Sequence, residues 1–363
     1  MSDNARRFKT VLNSLKALHP MTPKGNAWRH LFTLAAMING IIGSKNCQLP
    51  AIALKVSDFS KLESRVKLFS RWLHNGKITY DTYFLPYAMA LLQCLRHQTL
   101  AIIFDASVVG RGCIGVVACV VYKKRALPLC WITQTGNKGH LAESIHIQLA
   151  LKLKTMIPKE SMVVFLGDGE YDGANLIKTV YKNKWLFVSR TGKNRVLIEN
   201  DESFSVRHIG CGREEYFRIP QVRFNMDNSV TFDVIMWWAK GYEEPIYLLT
   251  NIKPAQEAMY WYKRRFLIET MFSDQKSRGF HIHKSHIAEP ERLNMLLIAT
   301  CLAYILIIYF GIMAIQNGWS RHFHRTDRCD LSLFQLGMRT IEYHLNMGKS
   351  VQPIKQLTLF LNA

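Results

Sequence analysis

The sequence predicts an α/β fold: a mixed sheet interrupted by a β-strand insertion, preceded by a helical N-terminal segment and followed by further helices. Three observations predict it. Residues 1–98 keep helical spacing of their apolar positions. At Thr99 the pattern changes to short buried-strand runs. From there strands and helices alternate in the order three strands, helix, strand, helix, strand.

Composition narrows the partners. The 363-residue chain carries 47 Lys and Arg against 27 Asp and Glu, a formal net charge of +20. Such an excess, scattered along the chain, predicts an extended positive surface for a polyanion, either nucleic acid or an anionic membrane. With 48% hydrophobic and 11% aromatic residues, disorder is excluded. No two of the eight cysteines are spaced Cys-x2-Cys, which argues against a zinc ribbon or a dithiol redox motif. Isolated cysteines read as reduced core thiols of a cytoplasmic protein. The N-terminus lacks a signal-peptide apolar region.

Within residues 1–98, Ala5–Leu18 is a basic amphipathic stretch ended by Pro20 and Pro23. Asn26–Gly43 repeats apolar residues at helical spacing. Ser60 and Glu63 form a capping box that opens a helix to His74, with Asn75-Gly76 as its stop. Lys61, Arg65, Lys67 and Arg71 interleave there with Leu62, Val66, Phe69 and Leu73. Two readings stand: a helix that meets DNA, or a bundle helix with a solvated basic face. Thr82–Leu95 is a further helix.

Leu100–Phe104 is the first strand and ends in Asp105. Cys113–Tyr122 and Ala126–Gln134 complete an antiparallel meander. Glu143–Met156 is helical, and Met162–Leu166 is a buried strand leading into Gly167-Asp168-Gly169-Glu170. A short helix, Asp172–Tyr181, and a fifth strand, Trp185–Val188, follow. This is the element order of a ribonuclease-H-like fold, in which the first and fourth strands are neighbours. Asp105 and Asp168 are therefore expected side by side. Either alone reads as a turn or cap residue. Two carboxylates so placed repel unless a cation holds them.

Residues 191–251 interrupt that order. A basic loop, Arg190 to Arg195 with Lys193 at its centre, precedes strand-like runs at Glu215–Phe224, Val230–Trp238 and Ile246–Thr250, the first two joined by an Asn225–Asn228 turn. Period-two alternation assigns Trp238 to the core face and Trp237 to the other, unless both are packing residues.

Pro254 and Gly279 bracket one predicted helix. At about 100° per residue, Tyr262, Arg265, Glu269 and Lys276 fall within about 60° of one another. Leu267, Ile268, Met271 and Phe272 form its apolar side. The stripe reads either as a face for an anionic ligand or as a solvated face with an Arg265–Glu269 pair. His281, His283 and His286 invite a zinc reading. With no Cys or acidic partner nearby, they read instead as surface histidines near DNA. The uncharged run Met295–Ile315 is long enough to cross a bilayer, but its polar residues and position favour a helix buried in a large core. Residues 317–363 are mixed and basic, without a usable motif.

The spacing Tyr262-x2-Arg265-x3-Glu269-x6-Lys276, with Asp105 and Asp168 upstream, resembles the signature of bacterial insertion-sequence transposases with an Asp-Asp-Glu site. The resemblance covers roughly residues 28–315 and includes the β-rich insertion between the second Asp and the Glu. It implies a ribonuclease-H-like catalytic core in two parts, 99–190 and 252–316, around the 191–251 insertion. Residues 1–98 become a DNA-binding domain and 317–363 a basic C-terminal region. It implies that Asp105, Asp168 and Glu269 hold two Mg²⁺ ions, replaceable by Mn²⁺, for DNA strand cleavage and transfer by a cut-and-paste route. Tyr262, Arg265 and Lys276 then bind phosphates, with Arg190 and Lys193 beside them, and Trp237 stacks on a flipped base. Lys61, Arg65 and Arg71 help read the terminal inverted repeats, and a homodimer forms the synaptic complex. Gly169 departs from the Arg that many such proteins place after the second Asp, which removes a phosphate contact but no metal ligand. A transposase-derived nuclease or regulator that no longer transposes, and a membrane-associated basic protein, are the alternatives.

Overall fold

A computed structural model of the chain describes residues 1–20, 23–56, 60–139, 141–224, 227–325 and 328–357. The N-terminal part is helical, as expected: α1 Asp3–Leu18, α2 Gly25–Ser44, α3 Leu49–Ala53, α4 Leu62–Leu73, α5 Tyr80–Tyr83 and α6 Leu85–Leu95. The Ser2 hydroxyl caps α1 by accepting from the Ala5 amide. The N-cap of α4 falls on Lys61, one residue after the expected Ser60. The helix expected at Thr82–Leu95 breaks at Phe84, where Pro86 opens α6 without needing an amide partner. Phe69, Trp72 and Leu73 bury the apolar side of α4.

The sheet begins with β1 Leu100–Gly110, β2 Cys113–Tyr122 and β3 Arg125–Thr135. After α7 Glu143–Lys154 come β4 Val163–Gly167, α8 Ala174–Lys182 and β5 Leu186–Thr191. The later strands are β6 Val196–Glu199, β7 Glu202–Ser205, β8 Tyr216–Phe224, β9 Asp227–Trp237 and β10 Ile246–Thr250. All ten belong to one mixed sheet, in the order β3-β2-β1-β4-β5-β10-β9-β8-β6-β7. β4 lies parallel to both β1 and β5, and the other pairs are antiparallel. The strands after β5 thus extend the first sheet through β10 rather than forming a sheet of their own. The β6–β7 hairpin was not foreseen. Its turn residues, Asn200 and Asp201, have φ of 49° and 67°, a left-handed pair that Asn and Asp tolerate. The expected Asn225–Asn228 turn lies in part outside the described residues.

Two helices, α9 Ala255–Arg264 and α10 Leu267–Gln275, lead to α11 Pro290–Gln316 and α12 Leu333–Asn346. Among the described residues α11 alone is long and apolar enough to cross a membrane, and its most apolar stretch is wholly buried in the fold. α11 packs against β3, α2 and α12. Gly337 on α12 leaves no room for a side chain: a Cβ there would lie 1.9 Å from the Ile307 carbonyl oxygen. At Gly311 on α11 it would lie 2.1 Å from that of Leu333. The C-terminal region therefore holds a packed helix, opened by a full capping box of Ser332 and Gln335. Its tail returns to α1, where Thr10 donates to the Val351 carbonyl at 2.8 Å and Ser14 accepts from the Ile354 amide at 2.8 Å.

Candidate active site

Strand register brings the two aspartates together. β1 and β4 pair Ile102 with Phe165 and Ile103 with Leu166. Two residues further, the same register sets Asp105 beside Asp168, on one face of the sheet. β4 and β5 pair Gly167 with Ser189, so the next position sets Asp168 beside Arg190. One row across three parallel strands thus carries two carboxylates and a guanidinium. Asp105 is not at a strand end, as the sequence suggested, because β1 runs on to Gly110. Asp168 does sit just past its strand.

The Asp105 carboxylate is nearly sealed from solvent, with 3% of its side chain exposed. It accepts from the Ala106 amide at 2.7 Å and from Lys138 Nζ at 3.0 Å. Burial pushes its pKa up and the Asp168 charge adds to this, while Lys138 acts against both. The Asp168 carboxylate accepts from the Glu170 amide at 2.9 Å. Burial, then the Asp168 charge, raises the Glu170 carboxyl. Glu170 Oε1 is buried and has no hydrogen-bond partner among the described residues. Behind these groups Tyr171 is fully buried, its ring 4.4 Å from that of His146 and edge-on to Phe104.

The single helix expected between Pro254 and Gly279 is two. At the joint, the amides of Arg265, Ile268 and Glu269 bond three residues back, to Tyr262, Arg265 and Phe266, which tightens the turn. Nor is the polar stripe a solvated surface: Tyr262 is 1% and Arg265 6% exposed. Arg265 lies 4.1 Å over the Phe266 ring and donates to Glu269 Oε1 at 3.1 Å, while Glu269 itself is exposed. Burial raises the Tyr262 hydroxyl, with Arg265 and Arg190 opposing and Asp168 adding to it. Lys276 bonds the Ser107 hydroxyl, and Ser107 shares a β1 face with Asp105. Burial, then the charge of Lys138, lowers the Lys276 ammonium. Tyr262, Arg265 and Lys276 are thereby brought to the aspartate row, and Arg265 holds Glu269. α10 is held down from behind by a buried ion pair, Arg125 Nη1 to Asp274 Oδ2 at 2.9 Å.

The donor set suits a hard divalent cation, since every candidate ligand is a carboxylate oxygen and one of them, on Glu170, is buried without a partner. Among the described residues, however, no three His, Cys, Asp or Glu side chains are grouped to hold one ion. Glu269 is turned to Arg265, and an ammonium rests on Asp105. The three histidines form no metal cluster either: His281 and His283 stand with ring centres 6.1 Å apart, and His286 Nε2 lies 3.0 Å from Gln48 Nε2.

Other expected contacts fare unevenly. Arg190 is exposed on β5, and Lys193 pairs with Glu244 at 3.4 Å on the surface. Lys61 and Arg71 are exposed, but Arg65 donates to the Val56 carbonyl at 2.7 Å and is half-buried. The tryptophans are reversed. Trp237 is 9% exposed under Lys263, whose Nζ lies 5.1 Å from its ring, and Trp238 is the more accessible, donating to the Tyr242 carbonyl. Both faces of this part of β9 are covered, so alternation could not tell them apart. Lys138, Ser107 and the Arg125–Asp274 pair were missed. The only signal for Lys138 was its place in Gly136-Asn137-Lys138-Gly139, which reads as a plain turn.

No curated protein sequence matches the chain. Eight chains of solved structures do. One belongs to a cryo-EM structure of the piggyBac transposase synaptic complex with hairpin DNA, at 10% identity and a TM-score of 0.45, covering 94% of this chain and 77% of that one. The transposase DDE domain family matches residues 101–306, from the strand that carries Asp105 to the interior of α11. That span is more than half of the chain and contains every residue gathered at the aspartate row: the chain belongs to the DDE transposase family.

Proposed function

We propose that the chain is the transposase of a bacterial insertion sequence, which binds the element's terminal inverted repeats and moves it by cut-and-paste strand cleavage and transfer. The observation that carries this is the row Asp105–Asp168–Arg190 with Tyr262, Arg265 and Lys276 beside it and Glu269 held by Arg265. The strand order β3-β2-β1-β4-β5 supports a ribonuclease-H-like core. Asp105, Asp168 and Glu269 would hold the divalent cations, Mg²⁺ or Mn²⁺. When bound, these supply charge stabilisation at the scissile phosphate and a more acidic water. Glu269 would complete the set on leaving Arg265, a rotation open to a side chain that is 56% exposed. Freed of it, Arg265 joins Tyr262, Lys276 and Arg190 in fixing the DNA strand through its phosphates. Lys61 and Arg71 on α4 give residues 1–98 a basic face for the repeat ends, and Lys193 extends the positive surface past β5. Two protomers pair the element's ends. The protein works in the bacterial cytoplasm, on the nucleoid, consistent with eight free cysteines.

Purified protein incubated with a duplex carrying the element's ends is expected to nick it in Mg²⁺ or Mn²⁺ and not in EDTA. Equal cutting in EDTA rejects the carboxylate-bound cation.

A further inference from the structure

Lys138 is a charged group at the aspartate row that neither the motif nor the family role accounts for. Its ammonium lies 3.0 Å from Asp105 Oδ1. The two partners differ sharply in exposure: 51% of the lysine side chain is exposed, against 3% of the aspartate's. The ammonium therefore reaches inward from the surface to a carboxylate that cannot reach out. Its charge also acts on Glu170 and on Lys276, so it stands among the site's charged groups rather than at their rim.

The backbone around it is lightly held. Lys138 lies in the turn between β3 and α7, flanked by Gly136 at φ 142° and Gly139 at φ 87°, values that side chains rarely adopt. Residues 136–139 are all exposed, and a Cβ built on Gly139 would meet nothing within 4 Å. Beyond the Gly136 amide, which donates to the Gly112 carbonyl at 3.2 Å, little packing opposes a swing of this turn, whereas Asp105 lies in the middle of a strand, opposite Val117 of β2.

We propose that Lys138 is a displaceable counter-ion: in the free protein it neutralises Asp105 in place of the divalent cation, and when the cation enters it turns outward to a phosphate of the bound DNA. The inference rests on the cation-binding role assigned above to Asp105. Its physical basis is competition. A buried carboxylate that already holds an ammonium binds a divalent ion less well, because the two cations repel at such range. Displaced, the ammonium lies on a flexible stem beside the path of the strand. There it replaces a counterion of the DNA, and the cation and the nucleic acid favour each other's binding. Lys138 is thus a positioning residue whose effect on affinity has opposite signs for the two ligands.

The test measures binding, not turnover. Mn²⁺ is titrated into wild-type protein, Lys138→Met, Lys138→Arg and Asp105→Asn by calorimetry, without DNA. Wild type is expected to bind Mn²⁺ and Asp105→Asn to bind it at least tenfold more weakly. Lys138→Met is expected to bind it about tenfold more tightly, and Lys138→Arg to stay within about threefold of wild type. In Ca²⁺, the DNA affinity of Lys138→Met is expected to fall, with a salt slope shallower by about one. Equal Mn²⁺ affinity of wild type and Lys138→Met, with Asp105→Asn weakened, overturns the counter-ion and leaves the site reading standing. An unaltered Mn²⁺ affinity in Asp105→Asn overturns that reading and the inference with it. Lys138 is exposed and borne on a turn, so its replacement leaves the fold intact, which circular dichroism checks.

Discussion

Glu269→Ala is expected to abolish DNA cleavage by several orders of magnitude while leaving the fold and DNA binding in place. The side chain is 56% exposed, so its removal opens no cavity, although it takes an ion pair from Arg265, whose side chain is only 7% exposed. Urea unfolding of the variant separates loss of stability from loss of cutting. On the proposed reading what disappears is a carboxylate ligand, since the other acidic side chain of α10, Asp274, is buried on Arg125. Removing one negative charge beside the phosphate path leaves binding equal or slightly tighter. Lys276→Ala should fail differently. Its ammonium bonds Ser107 on the Asp105 face of β1, so its loss spares the carboxylates and loosens the strand. A rate loss on the order of a hundredfold, typical of misplacement, is expected, with weaker complex assembly. Single-turnover cleavage and gel-shift titration of both variants separate the two roles. Wild-type cutting by Glu269→Ala would reduce the Arg265–Glu269 pair to a solvated helix contact.

Arg125→Met is expected to cost about 3–5 kcal/mol of stability at neutral pH, because it leaves a buried carboxylate without its partner. Asp274 is pushed up to about 6, chiefly by burial, with Arg125 acting against the shift. A carboxyl whose folded pKa lies above its unfolded value stabilises the fold at low pH, and that contribution is lost as pH rises through the folded value. In wild type the loss is therefore complete just above about pH 6. Without Arg125 the folded value climbs further, so the variant should be worst at pH 8 and recover on acidification to pH 5. Replacing both partners with Arg125→Met and Asp274→Leu should restore most of the stability, since an apolar pair of similar volume has no stranded charge. Urea unfolding at the two pH values decides this. A deficit equal at both, and not relieved in the double variant, would mean that the pair is not what docks α10 on β3. Since α10 carries Glu269 and leads to Lys276, Arg125→Met should also lower cleavage at pH 8 more than at acid pH.

These variants show where sequence was informative. The order of the first five strands could be read from runs such as Leu100–Phe104 and Met162–Leu166, because buried parallel strands are continuous apolar runs bounded by turns. Once that order is known, register alone brings Asp105 and Asp168 together, so two residues 63 positions apart could be paired before any coordinates. The four signature residues on α9 and α10 were legible by spacing. Their burial was not, since a helical wheel gives direction but not what lies opposite, and the tight joint at Arg265 bends the wheel itself. The reversal of Trp237 and Trp238 has a similar origin: Val234 and Met236 on one face of β9 and Ile235 and Trp237 on the other are all buried, so cover on both faces erases the two-residue signal. α12 could have been found from its capping box, Ser332 to Gln335. Lys138 could not, because a lysine between two glycines has no periodicity to betray it, and its partner lies 33 residues away.

On the proposed reading Asp105, inside β1, and Asp168, just past β4, form one cation site. Its most direct measurement is a crystal soaked in Mn²⁺, with anomalous scattering recorded at the manganese edge. The account predicts a peak bridging the Asp105 and Asp168 carboxylates, with Lys138 turned away from Asp105. Manganese bound elsewhere, with Lys138 still on Asp105 and no peak between the two aspartates, would contradict it.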